Sequence, residues 1–242
     1  MTLDRREVVS LDISAPPATV WQHVRQPDLV HRWYRWDSPT LDDEVRAFVA
    51  ATEGREGVTG HTLTWHNHDV LTIGPAAGRP SAAHLTVTRS SHDLAGYDGV
   101  HDHADAVWIA SAEQLRFAVT AQNTQPRRTL SIFGLDAGDL RDRLLDRAGL
   151  HGIRGVPIGG NVQARRPDGT LLGGTLVRKT DDLIVLHLHG ITEAMLVLFE
   201  TPAASAPPHG TVGAVLSTYG LDDATFAQVQ ERWTGWWRGA LR

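Results

Sequence analysis

Three pairs of histidines separated by a single residue, His66/His68, His101/His103 and His187/His189, have the spacing in this chain that most resembles working chemistry. Positions i and i+2 of a β-strand face the same way, so His187 and His189 in LIVLHLHG would present two imidazoles to one side of a sheet. Two imidazoles begin a zinc site, which needs a third ligand at about 2 Å. No HExxH or other complete signature supplies one, and Asp69 and Asp102 have no metal-ligand spacing to the pairs. The same two histidines could grip a polar group of a ligand or move protons as acid and base, with Tyr219 and Glu200 as further candidates. Equally compatible is a bland arrangement with Ile184, Leu186 and Leu188 buried and both histidines on a solvated outer face.

Tryptophan is the second signal, with eight in 242 residues. A tryptophan on the buried stripe of a helix fills space against a sheet and needs one partner for its N–H. Several together can also line a ligand pocket, since such pockets are mostly apolar with a few polar groups. Trp233, Trp236 and Trp237 cannot all face one core, because successive helical positions turn by about 100°. Trp33-Tyr34-Arg35-Trp36 has the same property in a short helical stretch. The candidate ligand-binding residues are therefore Trp33, Trp36, Trp65, Trp108, His187, His189, Tyr219, Trp233 and Trp237, with no catalytic residue assigned and no metal.

Several function classes drop out. There is no cysteine, hence no disulfide, thiolate nucleophile or cysteine metal site. No GxSxG elbow is present, GLHGIRGVPIGG lacks GxGxxG order and no GxxxxGK[ST] occurs, so neither an esterase elbow nor a nucleotide cofactor is expected. The net charge of -5, with basic residues scattered singly or in short pairs such as Arg127-Arg128 and Arg165-Arg166, leaves no footprint for nucleic acid. No apolar run approaches the roughly 18 residues of a membrane-spanning helix. The opening MTLDRREVVS is charged where a secretory signal would be apolar, which makes a cytoplasmic location the expectation. Hydrophobic content of 41% with 21% charged residues suits a globular chain with real cores, and a homodimer is compatible with it.

The elements that would position these residues repeat in outline. Val9, Leu11 and Ile13 alternate with Ser10 and Asp12 as a half-buried strand, ending where Ser14 could cap a helix begun by Pro16-Pro17. Val20, Trp21 and Val24, then Leu29, Val30 and Trp33 after Pro27, take helical spacing. EVRAFVA alternates Val45, Ala47 and Val49 against Arg46 and Phe48 and reads as a strand. HTLTWHNHDVLTI reads as a hairpin turned at residues 67–69, AHLTVTRS as its neighbour, and HDHADAVWIASAEQLRFAVTAQ as a long helix with Ala104, Trp108, Leu115 and Val119 on one stripe. Gln125-Pro126 breaks the chain there, giving domains 1–125 and 126–242. The order then restarts: strand RTLSIFG, a helix capped by Asp136 or Asp139 through Leu140, Leu144 and Leu145 to Gly149, and a hairpin turned at Pro167-Asp168-Gly169. Three strand segments and a final helix follow, the helix capped by Asp222 or Asp223 with Phe226, Val229, Trp233, Trp237 and Leu241 on one face.

The opening residues Ile13, Ala15, Pro16, Pro17, Val20, Trp21, Val24, Pro27, Leu29, Val30 and Trp33 resemble the start of the SRPBCC (START/Bet v-like) superfamily. Within it they are most similar to the group named after activators of a heat-shock-protein ATPase. YDGVHDHADAVWIASAEQLRFAV is similar to the terminal helix of bacterial members, and STYGLDDATFAQVQERWTGWW matches more loosely. The resemblance implies an α+β helix-grip fold, a curved antiparallel sheet around a long C-terminal helix, in two tandem copies. It further implies an apolar cavity between sheet and helix and, as partner, a small hydrophobic molecule without catalysis. A polyketide cyclase/aromatase-like or hydrolase activity in that cavity, and a chaperone-interaction role, are the alternatives it carries, because the superfamily has no single catalytic motif.

Overall fold

A computed structural model of the chain describes residues 5–56, 60–90, 102–121, 125–139, 150–165, 171–190 and 192–239. In the first strand, β1 (Arg5–Ile13), Val9, Leu11 and Ile13 are buried while Ser10 and Asp12 stand outside, as the alternation demands. Two prolines then open a helix where no N–H is needed, giving α1 (Pro17–Arg25) with Val20 and Val24 one turn apart in the core. Its N-cap is Pro16 without a side-chain hydrogen bond, so Ser14 does not cap it. A single turn, α2 (Pro27–Val30), follows.

Residues 44–50, expected to be a strand, lie instead within helix α3 (Leu41–Val49). Leu41, Val45 and Phe48 are buried at helical spacing, whereas Ala47 is exposed. Phe48, which the strand reading put on the polar side, is core. Asp42, Asp43 and Glu44 fill the first turn, where the helix dipole favours negative charge. The apparent alternation of small apolar residues was compatible with both periods, and burial of Phe48 selected the helix.

Strands β2 (Thr52–Glu56), β3 (Gly60–Thr64), β4 (Val70–Ala76) and β5 (Arg79–Ser90) complete an antiparallel sheet in the order β1-β5-β4-β3-β2. Edge strand β2 has no apolar alternation to announce it. The turn between β3 and β4 falls at the expected Asn67–Asp69, where Asn67 Oδ1 accepts the Asp69 N–H at 3.1 Å and His68 takes a left-handed φ of 65°. Across one face of the sheet lies α4 (His103–Thr120), begun by Asp102, whose side chain accepts the Ala104 N–H. Ala112, Leu115, Ala118 and Val119 join the core formed by β1, β3, β4 and β5.

The chain divides into two compact units, Met1–Thr124 and Gln125–Arg242. The second holds β6 (Arg127–Asp136), a 3₁₀ turn at His151–Gly155, then β7 (Asn161–Arg165), β8 (Leu171–Lys179), β9 (Leu183–His189), β10 (Ala194–Thr201) and β11 (Thr211–Tyr219). They form an antiparallel sheet in the order β6-β11-β10-β9-β8-β7. The final helix is α5 (Asp223–Gly239), with Val229 and Trp233 in one core with Leu186, Leu188, Leu196 and Leu216. Asp222, of the two candidates, supplies the cap by accepting the Thr225 N–H at 2.7 Å. The helix expected through Leu140, Leu144 and Leu145 and the turn at Pro167-Asp168-Gly169 lie outside the described residues. The architecture is α+β, with two antiparallel sheets and few helices.

Leu115 is fully buried, so Leu115→Ala is expected to cost about 2–5 kcal/mol of unfolding free energy in a urea titration. The Thr225 backbone N–H holds the Asp222 carboxyl below the usual carboxylate range. A lowered folded pKa means that its stabilisation is fully present above the unfolded value and disappears as pH falls through the folded one. Asp222→Ala is therefore expected to be less stable than the parent at neutral pH, with the difference closing in acid, as urea midpoints at both conditions would record.

Candidate functional site

In unit 1 the end of the sheet stays open between α3, the β3–β4 turn and the first two turns of α4. The opening is a cleft of about 510 Å³. Its wall is aromatic. Phe48 from α3 packs at 5.1 Å between ring centroids on Trp65, and Trp65 at 5.4 Å on Trp108 from α4. Both indole N–H groups are engaged within the protein: Trp65 Nε1 donates to the Phe48 carbonyl at 3.1 Å and Trp108 Nε1 to Asp69 Oδ2 at 3.1 Å. The rings thus offer the cleft apolar surface, their polar edges already satisfied.

Behind Trp108 is an ion cluster. Asp69, almost wholly buried, faces Arg89 of β5 at 3.4 Å, and Arg89 also binds Asp102 at 2.7 Å and Asp105. Arg6 of β1 meets Asp102 at 3.2 Å and Asp105 from the other side. Burial works against the Arg89 charge, but its hydrogen bonds to Asp105 and Asp102 and the charge of Asp69 outweigh it, and the guanidinium pKa rises above its ordinary value. Two cations thereby neutralise most of three carboxylates, and the first turn of α4 is tied to two strands and a turn.

The mouth is polar. Arg35, held at a left-handed φ of 50°, pairs with Glu44 of α3 at 3.1 Å and lies 5.5 Å from the Tyr34 ring. Non-glycine residues in that region carry strain that the surrounding structure must impose. His66 and His103 complete the rim. Ser111, one helical turn beyond Trp108, also lines the cleft, and its buried hydroxyl has no hydrogen-bond partner among the described residues.

The nine sequence candidates separate. Trp36, Trp65 and Trp108 line this cleft. Trp33 is buried behind it, edge-on to Phe48 at 5.3 Å, with its N–H on the His23 carbonyl. His187 and His189 share one face of β9 with ring centroids 5.3 Å apart, as their spacing requires, but the core of unit 2 takes Ile184, Leu186 and Leu188. The two rings therefore stand on the other face, His187 beside Glu193 at 3.3 Å and His189 on the Thr175 hydroxyl at 2.9 Å. Tyr219 is buried in β11, and Glu200 lies at the opposite end of β10 from the histidines. Trp233 and His189 border a smaller cleft of about 340 Å³ in unit 2. The side chain of Trp237 lies outside the described residues. His66 occupies a turn and not a strand, so the first HxH pair does not present two parallel imidazoles. Among the described residues no group of three histidine or acidic side chains is placed to hold a metal. No described helix is long and apolar enough to cross a membrane.

Arg89, Asp105 and Arg6 were not candidates from the sequence, and Asp69 was weighed only as an addition to a metal site, because four chain segments contribute them and no spacing links them. Phe48 was misplaced with its strand.

No family model matches the chain, and no curated protein matches it. Three solved structures are similar at low score. The di-domain ARO/CYC StfQ from the steffimycin biosynthetic pathway is 13% identical, with 97% of this chain and 95% of that one covered and a TM-score of 0.36. The di-domain ARO/CYC BexL from the BE-7585A biosynthetic pathway is 12% identical over 94% and 88%, with a TM-score of 0.31. DynU16, described as a putative protein in the dynemicin biosynthetic locus, is 15% identical over 98% and 96%, also at 0.31. These scores stay below the level at which a common fold follows from the superposition.

Asp69→Ala removes the acceptor of Trp108 and one carboxylate facing Arg89. Breaking a buried pair by one partner costs about 3–5 kcal/mol, and a loss of that size in urea unfolding is the expected outcome. A red shift of tryptophan emission should accompany it as Trp108 loosens.

Proposed function

We propose that the two units are helix-grip domains and that unit 1 binds a small, flat, largely apolar molecule in the cleft beside α4. One observation carries this reading: Phe48, Trp65 and Trp108 form a continuous ring wall whose indole N–H groups are already bound inside the protein. Such a wall gains by covering its faces with another apolar surface, at roughly 25 cal/mol per Å² removed from water. The ion cluster behind it keeps Trp108 in place before the ligand arrives, which lowers the ordering cost of binding. The polar rim of Arg35, Glu44, His66 and His103 suits a ligand with an apolar body and oxygen or nitrogen at its edge.

A second reading, cyclisation or hydrolysis of the bound molecule, is favoured by His66 and His103 at the rim, since an imidazole beside a bound carbonyl compound can take and return a proton. The histidines of β9 are not among the residues that line this cleft. The chaperone-interaction reading gains no support from the cleft.

Titration with flat aromatic and polyketide-like compounds should quench tryptophan emission saturably. Trp108→Ala should weaken that binding about tenfold, equivalent to roughly 1.4 kcal/mol. Absence of any saturable quenching across aromatic, polyketide-like and lipid probes would remove the binding reading. For the second reading, a poly-β-ketone thioester surrogate should be converted by the wild-type chain and not by His66→Ala combined with His103→Ala; unchanged turnover in the double variant would dismiss it.

A further inference from the structure

The smaller cleft of unit 2 has a chemistry of its own. It opens where β8 and β9 meet α5, with Leu172, Leu188, Val229 and Trp233 as a buried apolar floor. On α5, Val229 and Trp233 are one turn apart and form that floor, while Thr225, Gln228 and Arg232 run beside them at spacings of three and four along the same side. An amphipathic boundary of the helix therefore falls inside the cleft, apolar on one flank and hydrogen-bonding on the other.

The polar flank is unbalanced in charge. Thr225, Gln228, Arg232 and His189 border the cleft, and among the described residues no acidic one does. Of the carboxylates near the cleft in sequence, Asp222 caps Thr225, Asp223 pairs with Arg128 at 2.6 Å and Glu193 pairs with His187, while Glu231, next to Arg232 on α5, does not line the cleft. No carboxylate among the described residues lies within ion-pair distance of Arg232, which is exposed at the rim. An unpaired guanidinium beside an apolar floor matches a planar oxyanion on an apolar body, because its parallel N–H groups meet two carboxylate oxygens at once.

We infer that the unit 2 cleft is a second, separate binding site, which takes an apolar molecule bearing a carboxylate, with Arg232 as the charge-reading residue. The floor of Trp233, Val229, Leu172 and Leu188 holds the apolar body, and Gln228 and Thr225 add donors beside Arg232. The site is distinct from the aromatic cleft of unit 1, so it stands or falls independently of the function proposed there.

Isothermal titration of the full chain with 2-naphthoate and with its neutral isostere 2-naphthamide tests this. The acid should bind at least about tenfold more tightly than the amide. Arg232→Met should bring the acid down to the level of the amide, Arg232→Lys should restore part of the difference, and Gln228→Trp, at an exposed position, should block both. Thermal melts of these surface variants should match the parent. Trp108→Ala, in the other cleft, should leave naphthoate binding unchanged. Equal binding of acid and amide, no binding of either, indifference to Arg232→Met, or loss of binding in Trp108→Ala alone would each overturn the inference.

Discussion

Arg89 is the point on which the first unit turns. It leaves β5 near the end of the strand and meets carboxylates from the β3–β4 turn, the N-cap of α4 and the first turn of that helix. A guanidinium suits this role because it is planar, cannot be deprotonated in a protein and spreads several N–H donors in a fixed plane. Buried charge is tolerable only when paired, and here the pairing doubles as a joint between elements. Asp69 passes the constraint on, since the oxygen facing Arg89 also accepts the Trp108 N–H. The orientation of the cleft wall is therefore set by an ion cluster that lies behind it.

The two clefts differ in the surface they expose. In unit 1 the tryptophan edges are satisfied within the protein, and the cleft shows ring faces and a rim that holds both signs of charge. In unit 2 the apolar floor is aliphatic apart from Trp233, and the rim is donor-rich around Arg232, which meets no carboxylate among the described residues. Each arises from the same construction, a sheet with a long helix on one face, because such a packing closes well along its middle and less well at its ends. Side chains at the ends of strands and helices then set the chemistry of each opening, which is why similar sheets can serve unrelated chemistries.

Expectation and structure agree where one period was available and part where two were. Val9, Leu11 and Ile13 can alternate only as a strand, and the stripe through Trp108, Leu115 and Val119 is too long for anything but a helix. Residues 44–50 satisfied both patterns, and the contact of Phe48 with Trp33 and Trp65 resolved them. The HxH spacing of β9 placed both rings on one face as written, but the choice of face belonged to the packing of Leu186 and Leu188 under α5. Edge strand β2 needs only backbone pairing with β3, so its polar residues carried no sign of it.

Local features were legible in the residues alone: the turn at Asn67–Asp69, the proline-started helices and an aspartate cap at position 222 or 223 on the last helix. Those depend on backbone geometry and hydrogen bonds within a few residues, which residue type and spacing encode directly. Long-range packing alone fixed that Asp69, Arg89, Asp102 and Arg6 converge, that Trp33 is core while Trp65 and Trp108 are wall, and that the paired histidines of β9 face away from the core of their own sheet. The physical reason is that charge pairing and ring packing act through space, between segments whose separation along the chain leaves no periodic trace.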